Sequence, residues 1–239
     1  MTAHISNWSL MLASSLVLVS LAFSYRQSLQ LEKDIFVSAI RAVVQLIVIG
    51  YMLQYIFGSQ SHLFTIGLLL IMLYNTAYHT GKRGKGVPRA QRVSFIGIGI
   101  GTVLTLAVLL VSGALSFEAY QMIPVGGMVM SGAMVASGLC FKQLVSHFHI
   151  RQQEVEVKLA LGASVKQATQ DILRDAVKTG MQPTIDSAKT LGIVSLPGMM
   201  TGLILAGVDP LDAVKYQIIV TFMNLSGTAI ASFIACYLG

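Results

Sequence analysis

Long apolar segments alternate with short polar ones along almost the whole chain. Seven of them have about the 20 apolar residues that a helix needs to cross the hydrocarbon core of a membrane. In chain order they are 6–24, 35–57, 62–79, 93–115, 124–142, 191–208 and 213–238. The pattern predicts an all-α fold, a polytopic transmembrane helical bundle of about seven spans, as one domain over residues 1–239.

The composition supports a membrane protein and excludes other classes. Hydrophobic residues make up 54% of the chain and charged residues 11%, whereas soluble domains carry about 25% charged residues. A disordered chain is excluded because it needs low hydrophobicity. The net charge of +6 does not indicate a nucleic-acid partner, because basic residues in so apolar a chain mark cytoplasmic loops.

The positions of the basic residues predict the orientation. Fourteen of the 16 Lys and Arg residues lie in the alternate segments 25–34, 80–92 and 142–190. Since basic loops stay on the cytoplasmic side, the N-terminus is expected outside and the loop 143–190 inside. The expected location is the cytoplasmic (inner) membrane, with membrane lipid around a multi-pass protein.

The fifth span is predicted to continue beyond the membrane. No proline follows Pro124 before residue 161, so one helix of about 57 Å is expected, nearly twice the hydrocarbon thickness. Small residues in its membrane half predict close packing against other helices.

A tight elbow is predicted at residues 161–164, after this long helix. Gly162 is suited to end a helix, and Ser164 with Gln167 has the spacing of a capping box. A second helix is expected to reach about Thr179, and Pro183 is expected to end the region. The elbow has two interpretations: it is a binding site for another protein, or the hairpin packs on the chain's own cytoplasmic face.

Two motifs carry a resemblance to known transporters. The run 156–164 resembles the coupling segment of ABC-transporter permeases, in which an acidic residue lies six before a glycine and an isoleucine ten after it. Glu156, Gly162 and Ile172 fit this spacing, although the Leu-Pro that follows in the family is absent here. The block 183–217, together with Arg41 and Gln45 in the second span, is similar to the FetB-type iron-export permease family, which plant aluminium-tolerance permeases resemble.

The resemblance implies a permease subunit with a separate ATPase partner. The residues that it implies for ATPase binding, within the coupling segment 143–190, are Glu156, Leu159, Leu161, Gly162, Ala163, Ser164 and Ile172. The chain itself is expected not to be an enzyme and to bind no cofactor, with ATP and Mg²⁺ held by the partner. Gly81 and Gly86 have the spacing of a phosphate-binding loop, but Val87 and Pro88 stand where Lys and Ser or Thr are required.

Polar and sulfur-bearing residues at membrane depth are the candidates for a transport pathway. Such polar residues are costly in lipid and often face a cavity, but they also form hydrogen bonds that only hold a bundle together. The candidates are Arg41, Gln45, Asn75, Met130, Met134, Pro197, Met199, Met200 and Asn224. Met130, Met134 and Cys140 are also candidate metal ligands, because thioethers and thiols are soft ligands. Pro197 is expected to kink the sixth span.

The resulting hypothesis is a homodimeric ABC-transporter permease that exports iron or a related metal species with an ATPase partner. Two alternatives remain: an ABC permease for a nucleotide sugar or another small solute, and a membrane sensor or assembly protein that transports nothing.

Overall fold

A computed structural model describes residues 7–59 and 62–239. All regular structure in these residues is helical, without a strand, which confirms the all-α prediction. The nine helices are α1 (Asn7–Arg26), α2 (Glu32–Ser59), α3 (His62–Arg83), α4 (Ala90–Val111), α5 (Ala119–Ile150), α6 (Gln152–Ala160), α7 (Val165–Thr190), α8 (Gly198–Leu205) and α9 (Pro210–Leu238).

The chain divides into two compact units, and the first ends at Ser59. Its two helices, α1 and α2, are joined through the buried hydroxyl of Ser24. This hydroxyl donates to Glu32 Oε1 at 2.7 Å and accepts from the Leu31 N–H at 3.2 Å, which fixes the turn between the helices. The first predicted span, 6–24, matches α1 except for residue 6, which lies outside the described residues. The single domain over 1–239 remains a prediction.

In the second unit, α9 packs against α4, α5, α7 and α8. Glycines bring these helices close together. A Cβ at Gly101 of α4 would lie 3.0 Å from the carbonyl oxygen of Gly227 in α9, and a Cβ at Gly227 would lie 2.6 Å from Val129 of α5. Small residues at helix contacts are typical of membrane bundles, where backbones must approach closely to gain packing energy.

Five helices within the described residues are long and apolar enough to cross a membrane. They are α2 over Glu32–Gln54, α3, α4, α5 and α9, and they match five of the seven predicted spans. The chain is therefore a multi-pass membrane protein. The total number of spans, the external N-terminus and the cytoplasmic position of the loop 143–190 remain predictions.

The prediction of a spanning helix over 191–208 is wrong. Residues 191–197 are not helical, and α8 has 8 residues, about 12 Å of helix. Leu191 leaves the helical conformation with a ψ of 133°, and Gly192 follows with a positive φ of 79°, so α7 does not continue. Pro197 does not kink a helix as predicted but precedes the first turn of α8 as its N-cap. Hydropathy alone predicted a span here because it does not detect these backbone breaks.

The prediction of one helix from 124 to 161 is also wrong. The helix begins earlier, at Ala119, with Pro124 inside it, and it is interrupted at Arg151, where φ and ψ are −103° and 21°. The guanidinium of Arg151 lies 3.4 Å from the Asp175 carboxylate on α7. The break therefore occurs where the chain is tied to α7, and α6 then packs along that helix.

Helix α7 continues past Pro183 to Thr190, so the predicted end near Thr179 is wrong. A proline inside a helix removes one backbone hydrogen bond, but α7 is held by tertiary packing on α5 and α9. At its end, the Thr190 hydroxyl donates to the carbonyls of Asp186 and Ser187 at 3.0 and 3.1 Å. These bonds satisfy carbonyl groups that would otherwise lack a donor.

Candidate functional site

A cavity of about 810 Å³ opens between α5, α7, α8 and α9. We call it the polar groove, because six of its 18 lining residues carry a hydroxyl or amide side chain and none carries a charge. Its polar side chains are Ser131, Thr184, Ser187, Gln217, Thr221 and Asn224. On α9 they recur at positions 217, 221 and 224, so they share one helical face.

Two amide oxygens in the polar groove are buried without a hydrogen-bond donor. They are Gln217 Oε1 and Asn224 Oδ1, two helical turns apart on α9. A buried acceptor left without a partner costs about 1–3 kcal/mol. Both oxygens are turned away from the open space of the groove, so a polar or cationic ligand reaches them only when these side chains rotate.

Prolines supply further polar groups beside the groove. Pro124 of α5 and Pro183 of α7 both line it. Each lacks an N–H, so the carbonyls of Tyr120 and Thr179, four residues earlier, lose their helical donor. Irregular backbone of this kind is tolerated at membrane depth where it lines a cavity.

A second cavity, also about 810 Å³, lies beside the polar groove at the end of the bundle where α5 and α9 begin. We call it the end cavity. The two cavities share Pro124, Met128, Met199 and Val220. Two thioethers therefore stand at the border between them, where a solute moving from one cavity to the other would pass.

The structure brings together three of the nine predicted pathway residues. Pro197, Met199 and Asn224 line the polar groove, whereas the other six lie elsewhere. Asn75 is exposed on α3, and Arg41 and Gln45 are exposed on α2 in the first unit. Met134 and Met200 are half-buried.

The three candidate metal ligands do not form one site. Met130 is buried in a core cluster with Leu73 and Ile98, whereas Cys140 is buried in a different cluster with Phe141. The Cys140 thiol donates to the Ala176 carbonyl at 3.4 Å and packs as a small apolar group. The described residues contain no group of three or more His, Cys, Asp or Glu that could hold a metal ion.

Met128 of α5, which lines the polar groove together with Met199, was missed. The sequence held one signal for it: Met128 lies on the same helical face as Pro124 and Ser131. Gln217 was missed because it lies near the start of α9, where a polar residue usually marks only a helix end.

A second candidate surface is the hairpin formed by α6 and α7. At its turn, the Gly162 N–H donates to Leu159 O and the Ala163 N–H to Lys158 O, both at 3.0 Å. This is the Schellman pattern, and it requires the left-handed φ of 89° that Gly162 adopts. Ser164 and Gln167 then form the predicted capping box. Both predicted caps are confirmed.

Ion pairs join the two helices of the hairpin. Lys158 of α6 lies 2.8 Å from Glu154 on its own helix and 3.3 Å from Asp171 of α7. The hydrogen bond to Glu154 has the largest effect on the pKa of Lys158 and raises it above its ordinary value of 10.5. The hydrogen bond to Asp171 raises this pKa further. Lys158 therefore stays charged at physiological pH and holds the turn against α7.

Most of the residues predicted to bind the ATPase surround this turn. Leu161 is 83% exposed, Glu156, Leu159, Gly162 and Ser164 are exposed, and Ala163 is half-buried. Ile172 is the exception: it is 2% exposed and packs in the core with Phe141. It anchors α7 and cannot contact a partner. The sequence reading missed Val157 and Val165, which are 58% and 69% exposed and extend the apolar surface of the turn.

Helix α7 connects the two candidate surfaces. Its first residue, Val165, follows the turn, and its last third carries Pro183, Thr184 and Ser187 in the wall of the polar groove. With 26 residues it is about 39 Å long. One helix therefore extends from the turn to a wall of the groove.

Fold and sites together define a polytopic helical membrane protein with a polar groove between its helices and an exposed turn in the α6–α7 hairpin. Its sequence matches the model of the "Uncharacterised protein family (UPF0014)" over residues 7–239. The chain belongs to this family.

Several relatives match over most of the chain. It is 48% identical over 239 residues to the "Probable iron export permease protein FetB" of Escherichia coli (strain K12), covering 100% of this chain and 92% of the relative. It is 39% identical over 222 residues to "UPF0014 membrane protein YjkA" of Bacillus subtilis (strain 168), covering 93% and 89%. It is 38% identical over 228 residues to "Protein ALUMINUM SENSITIVE 3" of Arabidopsis thaliana, covering 95% and 84%. No solved structure matches the chain.

Proposed function

We propose that this chain is the membrane-spanning permease subunit of an ABC transporter in the cytoplasmic membrane. It exports iron or a related metal species with ATP and Mg²⁺ bound by a separate ATPase. The observation that carries this proposal is the single helix α7, which joins an exposed apolar turn to the wall of the polar groove.

The turn has the properties of a docking surface for the ATPase. Leu161 projects at the tip, and a Cβ at Gly162 would meet no atom within 4 Å. The Schellman turn and the capping box hold the backbone in one conformation. The turn therefore loses little conformational entropy when a partner binds. Closure of the ATPase on this turn would push α7 as a rigid element and change the groove.

The polar groove is the proposed transport pathway. A cation that enters it passes the side chains of Gln217 and Asn224, whose amide oxygens must rotate to contact it, and the methionines Met128 and Met199. Amide oxygens are hard ligands and thioethers are soft ones, so the pathway offers contacts to a metal ion that carries part of its own ligand shell. The name of the E. coli relative, an iron export permease, supports iron.

The same groove supports a homodimer. Ser131 and Ser187 in its wall are exposed in the single chain, and polar groups that face lipid are unfavourable. Two subunits with their grooves facing each other would enclose one pathway between them and remove these groups from lipid.

A substitution at the turn tests the proposal. Gly162→Trp keeps open space around the side chain but forces a bulky residue into a positive φ at the docking surface. We expect loss of ATPase association and of transport, with normal membrane insertion. Leu161→Asp should have the same effect without the backbone strain. Gln153→Asp is the matched control, because it adds the same charge to an exposed position of α6 away from the turn.

Co-purification with the tagged ATPase measures association, and the iron content of cells that express both subunits measures export. Normal association of both turn variants would overturn the docking site. If association is normal for wild type but ATP hydrolysis responds to a nucleotide sugar and not to iron, the permease stands and the substrate is a small organic solute. ATP-independent partner binding without flux of either solute would instead indicate a sensor or assembly protein.

A further inference from the structure

The turn between α3 and α4 encloses a basic cavity that the proposed transport does not use. The cavity measures about 750 Å³, and its walls include Lys82, Lys85, Arg89 and Arg92 but no acidic side chain. None of these four residues forms an ion pair with a described residue. Four uncompensated cations around one cavity favour an anionic ligand.

The backbone adds to the positive potential of this cavity. Arg89 is the N-cap of α4 and makes no capping hydrogen bond with its side chain. The N-terminal end of α4, which carries a partial positive charge, therefore faces the cavity without the acceptor that an N-cap usually supplies. A phosphate group, with several acceptor oxygens and a negative charge, fits these donors.

The position of the basic cavity relates it to the membrane surface. It lies between the last turn of α3 and the first turn of α4, and both helices are long and apolar enough to span the membrane. The cavity is therefore at the level of the lipid headgroups. The ring of Tyr78 lies there too, with Lys82 Nζ 4.5 Å from its centroid, and tyrosines of this kind are typical of the interface.

An apolar surface continues from the basic cavity along α3 and α4. A cavity of about 440 Å³ shares Gln91 and Arg92 with the basic one. A further cavity of about 620 Å³ shares Phe95 and Ile96 with this 440 Å³ cavity and ends at Val103 and Leu104. From Arg92 to Leu104 the α4 backbone rises about 18 Å, close to the depth of one leaflet of the hydrocarbon core.

We propose that this face binds one anionic phospholipid, with its phosphate in the basic cavity and an acyl chain along the apolar surface of α3 and α4. The continuity of a cationic cavity with an apolar groove of leaflet length favours a lipid over a free phosphate, which would use only the first part. The negative headgroup supplies the counter-charge that the four basic residues lack.

Native mass spectrometry of the purified full-length chain in neutral detergent tests the proposal. The probes are dioleoylphosphatidylglycerol, dioleoylphosphatidylcholine with the same acyl chains, and inorganic phosphate. We expect one molecule of phosphatidylglycerol to bind at least tenfold more tightly than phosphatidylcholine, and inorganic phosphate to compete poorly.

Charge removal distinguishes a built site from general basicity. Each Lys or Arg near an anionic lipid contributes roughly fivefold in affinity, so Lys85→Gln with Arg89→Gln should weaken phosphatidylglycerol about 25-fold. The matched control removes two exposed basic residues of α7, Lys166→Gln with Arg174→Gln, and should leave binding unchanged. Arg92→Gln, at the junction of the basic cavity and the 440 Å³ cavity, is a single-residue variant and should weaken phosphatidylglycerol roughly fivefold.

Three results would overturn the proposal. Equal losses in the cavity variant and the control would indicate attraction by net charge alone. Displacement of phosphatidylglycerol by inorganic phosphate at similar concentrations would indicate a free-phosphate site. Equal affinity for phosphatidylglycerol and phosphatidylcholine would show that the basic residues do not select the headgroup. Far-UV circular dichroism confirms that each variant retains its helices.

Discussion

Helix α7 approaches α5 closely at Gly180, and an alanine there should destabilise the protein. A Cβ at this position would lie 2.8 Å from the Ala136 carbonyl oxygen and would overlap the Cys140 sulfur of α5. Ordinary contact begins near 3.4 Å, so α7 must move away from α5 by at least about 0.6 Å at the carbonyl. A backbone carbonyl group inside a helix can move only slightly, because it is held by the helical hydrogen bonds.

Overpacking of this kind costs about 1–3 kcal/mol. We take the upper end, about 3 kcal/mol, for Gly180→Ala, because a sulfur and a carbonyl both obstruct the methyl group. The higher helix propensity of alanine offsets about 1 kcal/mol of this cost, which leaves about 2 kcal/mol. For a chain of this size each kcal/mol lowers Tm by about 2–4 °C, so the expected fall is about 4–8 °C. Thermal unfolding in detergent, followed by circular dichroism, measures it.

Two further variants make the reasoning refutable. Gly67→Ala is the matched control: a Cβ there meets no atom within 4 Å, and alanine is favoured over glycine in a helix by up to about 1 kcal/mol. Tm should therefore stay constant or rise. Cys140→Ala combined with Gly180→Ala removes the sulfur and should restore part of the loss, a coupling that a double-mutant cycle detects. If Gly180→Ala melts at the wild-type temperature, the close approach of α5 and α7 is incorrect.

Two other predictions concern the groove and the hairpin. Asn224→Leu removes an amide of the polar groove and should reduce iron export at least fivefold while ATPase association persists, because a lost buried interaction is worth about 1–3 kcal/mol. Cellular iron content measures the export. An equal loss of export in the exposed control Asn75→Leu would contradict the role of the groove. Lysine NMR titration should give Lys158 a pKa above 10.5 that falls towards this value in Glu154→Gln. Because the folded-state pKa is raised, the stabilisation of the hairpin by this lysine is complete below about pH 10 and is lost as pH rises through that pKa.

The sequence determined the features that depend on local chemistry. Runs of apolar residues predicted the helical class and five helices that the structure contains, because a helix across lipid must satisfy its own backbone hydrogen bonds. Gly162 and Ser164 predicted the turn between α6 and α7, because a positive φ and a capping box involve only residues within one turn of each other. These interactions are encoded in residue type and spacing alone.

Tertiary packing decided the features that depend on neighbours distant in sequence. Pro183 was predicted to end α7, but contacts with α5 and α9 stabilise the helix beyond it. Ile172 fits a docking motif by spacing, yet packing against Phe141 buries it.

The same limit applies to the candidate pathway. Met130 and Met128 are both methionines of one apolar helix, and residue type alone does not distinguish the one that faces the core. The rotation of α5 against α9 places Met128 beside Asn224 in the polar groove and Met130 in the core. Helix rotation is fixed by close packing of small residues from several helices, so only the folded structure identifies the residues of the site.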